Sequence, residues 1–249
     1  MKLGLQMFSL GQEIRKDMIK AIELVGKIGY DGVELSGYGG LSPKEMKQLV
    51  ADNGMEIAAS HVHLPEEKKD QEAALEYAAE AGIPKLIIPF MENSRWFPTT
   101  PTFRDTLQQV KEYVALAAKY NIQIGYHNHG HELMEFGGKS VLDHIADNTP
   151  NNFLLEVDCY WVEFGEKNAF EFIQRHADKA TTICNYKQML EPVEKANITL
   201  DKGYIDFKKI SDFLKAHNGQ WAIIEQEPGS VDDLVEAAKI NHDFARSIL

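Results

Sequence analysis

The sequence predicts a single-domain α/β chain, residues 1–249, closed as a (β/α)8 barrel. Three observations predict it. Short β-rich runs alternate with longer amphipathic segments along the whole chain. About eight such units fit, averaging about 31 residues each, which is the cadence of a barrel that commonly runs to about 250 residues. The competing open, doubly wound sheet would carry a Gly-rich phosphate turn after its first strand, and "SLGQEI" (9–14) is not one.

The strand-like runs are "KLGLQMFS" (2–9), "GVELS" (32–36), "EIAASHVH" (56–63), "KLIIPF" (85–90), "IQIGYHNH" (122–129), "FLLEVD" (153–158), "ATTICNY" (180–186) and "WAIIEQE" (221–227). Helical stretches fall between them, at roughly 13–28, 43–53, 66–81, 102–120, 140–148, 169–178, 206–217 and 230–248. Ser42-Pro43 opens the second, with proline at its first position and Glu45 in its first turn, and Asn53-Gly54 closes it. The third stops at Gly82, the residue type that most readily adopts a left-handed cap. No linker or low-complexity segment interrupts this order.

Charge and composition exclude several roles. A net charge of -12 repels polyanions, and no basic run tracks a phosphate backbone, so nucleic acid is not an expected partner. No apolar run is long enough to span a membrane, and "MKLGLQMFSL" is too alternating for a signal segment, so a cytoplasmic location is expected. Cys159 and Cys184 are too few for a disulfide framework.

In a barrel the chemistry sits at the C-terminal ends of the strands, and the polar residues gather there. Gln6 and Ser9 end the first run, Glu34 the second, His61 and His63 the third, His127 and His129 the fifth, and Asp158 the sixth. Asn185 and Lys187 end the seventh, and Glu225 and Glu227 the eighth. Period-two alternation puts His127 with His129, Glu156 with Asp158, Asn185 with Lys187, and Glu225 with Glu227 on shared faces. Buried carboxylates and imidazoles converging on one lumen call for a counter-charge. A divalent cation (Mn, Mg, Co or Zn) answers that need, and an inward Lys187 is the metal-free answer. His144, His176, His217 and His242 fall in helices, away from that mouth.

Five ordered pieces carry a resemblance over the whole chain: "IGYDGVEL" (28–35), "YHNHGHE" (126–132), "LEVD" followed by "YW" (155–161), "GYIDF" (203–207) and "AIIEQE" (222–227). Together they resemble the sugar phosphate isomerase/epimerase family, the xylose isomerase-like TIM barrels that include ketose 3-epimerases, inosose dehydratases and 3-dehydroshikimate dehydratases. The resemblance implies a divalent metal held from the fifth to eighth strands. Asp158 and Glu225 match two ligand positions, and the fifth-strand ligand is one of His127, His129 and Glu132. On the seventh strand "NYKQ" (185–188) replaces the family's "HLKD", so the usual ligand His is Asn185, the usual Asp is Gln188, and Lys187 is retained. An amide oxygen in that place favours Mg or Mn over Zn. Likewise "DKG" (201–203) stands where the family reads "GEG".

The resemblance further implies removal of a proton α to the carbonyl of a keto-sugar or related polyol. Glu132 and Glu225 are the expected acid/base pair, since two acids on opposite sides of a flat enediolate allow epimerisation. Return to the adjacent carbon gives isomerisation, and loss of a β-hydroxyl gives dehydration. Expected substrate contacts are Gln6, Glu34, His61, His63, Trp161 and Lys187, with Arg95 in a covering loop, "FMENSRWFPTT" (90–100), holding a phosphate or carboxylate. A metal-free sugar-binding barrel is the alternative, and such barrels can form homo-oligomers.

Overall fold

The structure is a computed structural model describing residues 1–249. Eight parallel strands close a barrel in chain order: β1 (Lys2–Gln6), β2 (Gly32–Ser36), β3 (Glu56–His61), β4 (Lys85–Ile88), β5 (Gln123–His127), β6 (Leu154–Asp158), β7 (Ile183–Tyr186) and β8 (Trp221–Ile224). Closure comes from β8 pairing with β1, with Leu3 opposite Ala222 and Leu5 opposite Ile224. The predicted fold class is therefore observed.

Helices cover the outside, each burying one apolar stripe. In Thr102–Ala117 the stripe is Phe103, Leu107, Val110, Val114 and Ala117, at helical spacing. Ser42 and Glu45 form a reciprocal capping box at the start of Pro43–Asp52, and Gly82 ends Lys68–Ala81 in the left-handed region at φ 74°. No helix is long and apolar enough to cross a membrane.

The strands are shorter than the apolar runs suggested. The first run ends at Gln6, whose side-chain oxygen accepts from Phe8 N at 3.0 Å and turns Met7–Leu10 into a 3-10 helix. The next helical stretch is two helices, Gly11–Arg15 and Met18–Ile28, the second capped by Asp17. His63, His129, Lys187, Glu225 and Glu227 consequently lie just past strand ends rather than on them. A short helix, Cys159–Phe164, and two small hairpins, Glu135–Phe136 with Lys139–Ser140 and Gln188–Met189 with Asn197–Ile198, were not expected.

Inside the barrel the lower lumen is apolar, filled by Ala58, Ala59, Ile87, Leu154, Ile183, Trp221 and Ile223. Trp221 needs room, and Gly32 provides it: a Cβ there would stand 2.4 Å from the Glu56 carbonyl and 2.6 Å from the Trp221 ring. Gly32→Ala is expected to destabilise the fold by about 2–3 kcal/mol, read as a lower urea midpoint at unchanged slope. An unchanged midpoint would mean that β3 and Trp221 yield freely.

In the helical layer, Asp143 caps Val141–Asn148 together with Ser140 and takes His176 Nε2 at 2.6 Å and Arg175 Nε at 3.2 Å. Burial pushes its carboxyl up, but the hydrogen bonds from His176 and Ser140 and the charge of Arg175 outweigh that and hold it below the usual range. A depressed carboxyl stabilises the fold above the unfolded value of about 3.9, and that contribution is lost as pH falls through the folded value. Between about pH 4 and pH 2 the wild-type Tm should therefore drop more steeply than that of Asp143→Asn, and parallel curves would remove Asp143 from acid unfolding.

Candidate active site

Above the apolar layer the lumen turns polar, because on every strand but β4, where Pro89 follows Ile87, the next inward position carries an acid, amide or imidazole. Two linked groups result. In the lower one, Gln6 Nε2 donates to Glu34 Oε2 at 2.7 Å. His61 Nε2 lies 3.2 Å from Glu34 Oε2 and 3.0 Å from Glu156 Oε2, and His127 Nδ1 lies 3.2 Å from that same Glu156 oxygen.

The upper group is built on Asp158, whose backbone N donates to Asn128 Oδ1 at 2.9 Å while its Oδ1 caps the following helix through Trp161 N at 3.1 Å. Its Oδ2 faces His127 Nε2 at 3.7 Å and Lys187 Nζ at 3.8 Å. Asn185 Nδ2 donates to Glu225 Oε2 at 2.8 Å, and Lys187 Nζ stands 3.4 Å from Glu225 Oε1 and touches Glu227. The Lys187 ammonium also lies against two rings, 5.5 Å from Tyr160 and 5.1 Å from Trp161.

Above both groups opens a cavity of about 570 Å³, lined among others by Phe8, His61, His63, Phe90, His127, His129, Glu225 and Glu227. Such a volume suits a small molecule. His129 packs between Phe90 and Trp161, with ring centroids at 5.8 and 5.5 Å.

Burial and neighbours set the charges here. Burial, with Glu156 beside it, lifts the Glu34 carboxyl to about 7. Burial alone would lower His61, but Glu34 and Glu156 raise it well above the usual histidine value. His127 and His129 have no comparable compensation, and burial drops them to about 4 and about 3, so both are neutral imidazoles at pH 7. Burial also raises Asp158 well above the usual carboxylate range against the pull of Lys187. Burial would raise Glu225, but the charge of Lys187, helped by His61 and by the hydrogen bond from Asn185, overcomes it and holds the carboxyl at about 2. Lys187 is lifted by Glu225, Asp158 and Glu227 in spite of its burial.

Cation-holding capacity follows from the donor set. One atom each of His127, Asp158 and Glu225 lie within 4.8 Å of one another. Asp158 Oδ2 and Asn185 Oδ1 are buried with no hydrogen-bond partner, as acceptors that face a cation would be. An imidazole, two carboxylates and an amide oxygen fit Mg, Mn, Co or Zn.

Nine of the residues singled out in the sequence converge in these two groups: Gln6, Glu34, His61, His127, Asp158, Asn185, Lys187, Glu225 and Glu227. His63 and His129 line the cavity without joining either cluster, and Trp161 is the wall behind His129 and Lys187. Two of the expected residues stand apart from both groups. Glu132 is drawn away from the ligand cluster: its carboxylate accepts from the Tyr126 hydroxyl and from His129 N at 2.8 Å, and meets His131 Nε2 at 2.9 Å. It locks the turn after β5, outside both the His127, Asp158 and Glu225 cluster and the cavity lining. Arg95 is absent from the cavity lining and donates to Gln109 Oε1 at 2.5 Å, tying the covering loop to helix Thr102–Ala117. Glu156, which the sequence marked only by its alternation with Asp158, is a central member.

The chain belongs to the xylose isomerase-like TIM barrel family, whose model matches residues 22–248. Among solved structures it is similar to a sugar phosphate isomerase/epimerase from Parabacteroides distasonis ATCC 8503, at 21% identity and a TM-score of 0.77, covering 99% of this chain and 94% of that one. The IOLI protein with a binding zinc atom is similar at 14% identity and a TM-score of 0.77, covering 100% of this chain and 98% of that chain. D-psicose 3-epimerase from Clostridium cellulolyticum H10, solved with D-tagatose, gives 13% identity and a TM-score of 0.76, covering 100% of this chain and 99% of that one. At such identities the likeness shows the fold alone. No curated protein sequence matches the chain.

Proposed function

We propose that this protein removes a proton α to the carbonyl of a small keto-sugar or related polyol, as a sugar isomerase or epimerase. The observation that carries the reading is the convergence of His127, Asp158 and Glu225 beneath an open cavity at the C-terminal mouth of the barrel. His127, Asp158, Asn185 and Glu225 are the residues that would hold a divalent cation. Bound there, the cation would polarise a carbonyl and a neighbouring hydroxyl oxygen.

Glu225 is the base: the substrate C–H bond breaks, its electrons pass into the enediolate, and the proton goes to the carboxylate. With Glu132 turned away, the carboxylates that face the cavity are Glu225 and Glu227, two residues apart on one loop. A proton leaving and returning on that one side favours transfer to the adjacent carbon, hence isomerisation over epimerisation. Phe8 and Phe90 offer apolar faces to the sugar's C–H edges, and His61 and His63 meet its hydroxyls. The test is mass spectrometry of a panel of ketoses and aldoses incubated with the protein and Mn(II) in heavy water. Incorporation of one deuterium at the carbon next to the carbonyl supports the reading, and a panel without incorporation sinks it.

Lys187 favours a second reading. Its ammonium reaches Asp158, Glu225 and Glu227, so it can serve as the counter-charge of a barrel that binds sugar without turnover. Sugar binding unchanged by chelator, with no exchange, would favour it.

A further inference from the structure

The lower group is a separate problem in charge and hydrogen bonding, and it does not depend on the chemistry proposed above. Glu34 and Glu156 come from β2 and β6, and both are fully buried. Each has one oxygen, Glu34 Oε1 and Glu156 Oε1, without any hydrogen-bond partner. Their other oxygens face one imidazole nitrogen, His61 Nε2, at 3.2 and 3.0 Å. That nitrogen carries at most one proton, so it can donate to only one of the two carboxylates at a time. The remaining donors on these oxygens are Gln6 Nε2 and His127 Nδ1. Lys85, the ammonium deeper in the barrel, donates instead to Gln220 Oε1 at 3.1 Å. Two buried carboxylates, each able to accept about four hydrogen bonds, thus share three N–H groups. That leaves both Oε1 atoms without a donor, an arrangement that a dry lumen penalises.

We infer that Glu34, Glu156 and His61 form a second divalent-cation site, one layer below Asp158 and Glu225. A single ion between them satisfies both carboxylates and the imidazole lone pair together, which one shared proton does not. Two carboxylates and an imidazole, completed by water, suit Mn, Co or Zn. The outer partners that orient metal ligands are in place as well. Gln6 holds Glu34 and is itself fixed by Phe8 N, and His127 holds Glu156. His61 lines the floor of the open cavity, which gives an ion its way in. His127 lies between the layers, with Nδ1 toward Glu156 and Nε2 toward Asp158, so loading one site fixes the ring for the other.

The test is Mn(II) stoichiometry on the chelator-stripped full chain, by equilibrium dialysis and elemental analysis, with thermal melts to verify folding. The expected result is two Mn per chain in the wild type and one in each of Asp158→Asn, Glu34→Gln and His61→Ala. Gln6→Ala, a positioning change, should weaken only the second equivalent, by about 10- to 100-fold. Should Glu34→Gln fail to fold, Glu156→Gln takes its place. One Mn in the wild type that Asp158→Asn abolishes and Glu34→Gln retains would overturn the second site and leave the proposed function standing. One Mn that behaves in the opposite way would uphold the second site and count against the first. No Mn in the wild type would overturn both.

Discussion

Glu225→Gln is expected to slow deuterium incorporation by about 10²- to 10⁴-fold, the usual share of a general base, with the fold retained. The amide matches the carboxylate in volume but cannot take up a proton from carbon. The loss should fall on kcat, because the rest of the cavity lining, Phe8, His61, His63, Phe90 and His129, still meets the substrate. Glu227→Gln is the control: its carboxylate engages Lys187 and should cost far less. Wild-type exchange in Glu225→Gln would move the base elsewhere in the cavity.

Lys187→Met should give the largest loss of stability. It removes the ammonium that faces Asp158, Glu225 and Glu227 while filling a similar volume. Breaking a buried ion pair by deleting one partner costs about 3–5 kcal/mol, because the other charge stays buried without compensation. For a chain of this length that lowers Tm by roughly 6–20 °C in the presence of chelator. Millimolar Mn(II) should restore much of the loss, since a cation among His127, Asp158 and Glu225 supplies the missing charge. Calorimetry with chelator and with Mn(II) reads both effects. A loss that Mn(II) leaves untouched would favour the metal-free sugar-binding barrel.

The fold was legible because a barrel repeats one local pattern eight times, and each repeat carries its own signals in "SPKE", in Gly82 and in the apolar runs. The lumen was legible by period two: Glu156 and Asp158, or Asn185 and Lys187, share a face whatever the rest of the chain does. Strand ends were not. Local capping decides them, as when Gln6 turns Met7–Leu10 into a 3-10 helix.

That is also why Glu132 stands apart from the cluster. In sequence it adjoins three histidines, but β5 stops at His127, and the turn Gly130–Leu133 folds its carboxylate back onto His129 N. Arg95 stands apart for a similar reason, as Gln109 lies fourteen residues away and only packing brings it near. Gln188 shows a third kind of limit. Standing where the resemblance has an acid, it donates to the carbonyls of Leu200 and Ile205 and accepts from Met189 N and Ile205 N. It thereby orders the altered "DKG" loop, a job that no local pattern announces.

The most direct test of cation-assisted proton abstraction is the rate of solvent deuterium uptake into a responsive keto-sugar by chelator-stripped protein, measured before and after adding Mn(II). Uptake that appears only with the cation, and is absent in Asp158→Asn at the same Mn(II) concentration, is the predicted result. Equal uptake without the cation, or uptake retained in Asp158→Asn, would contradict it.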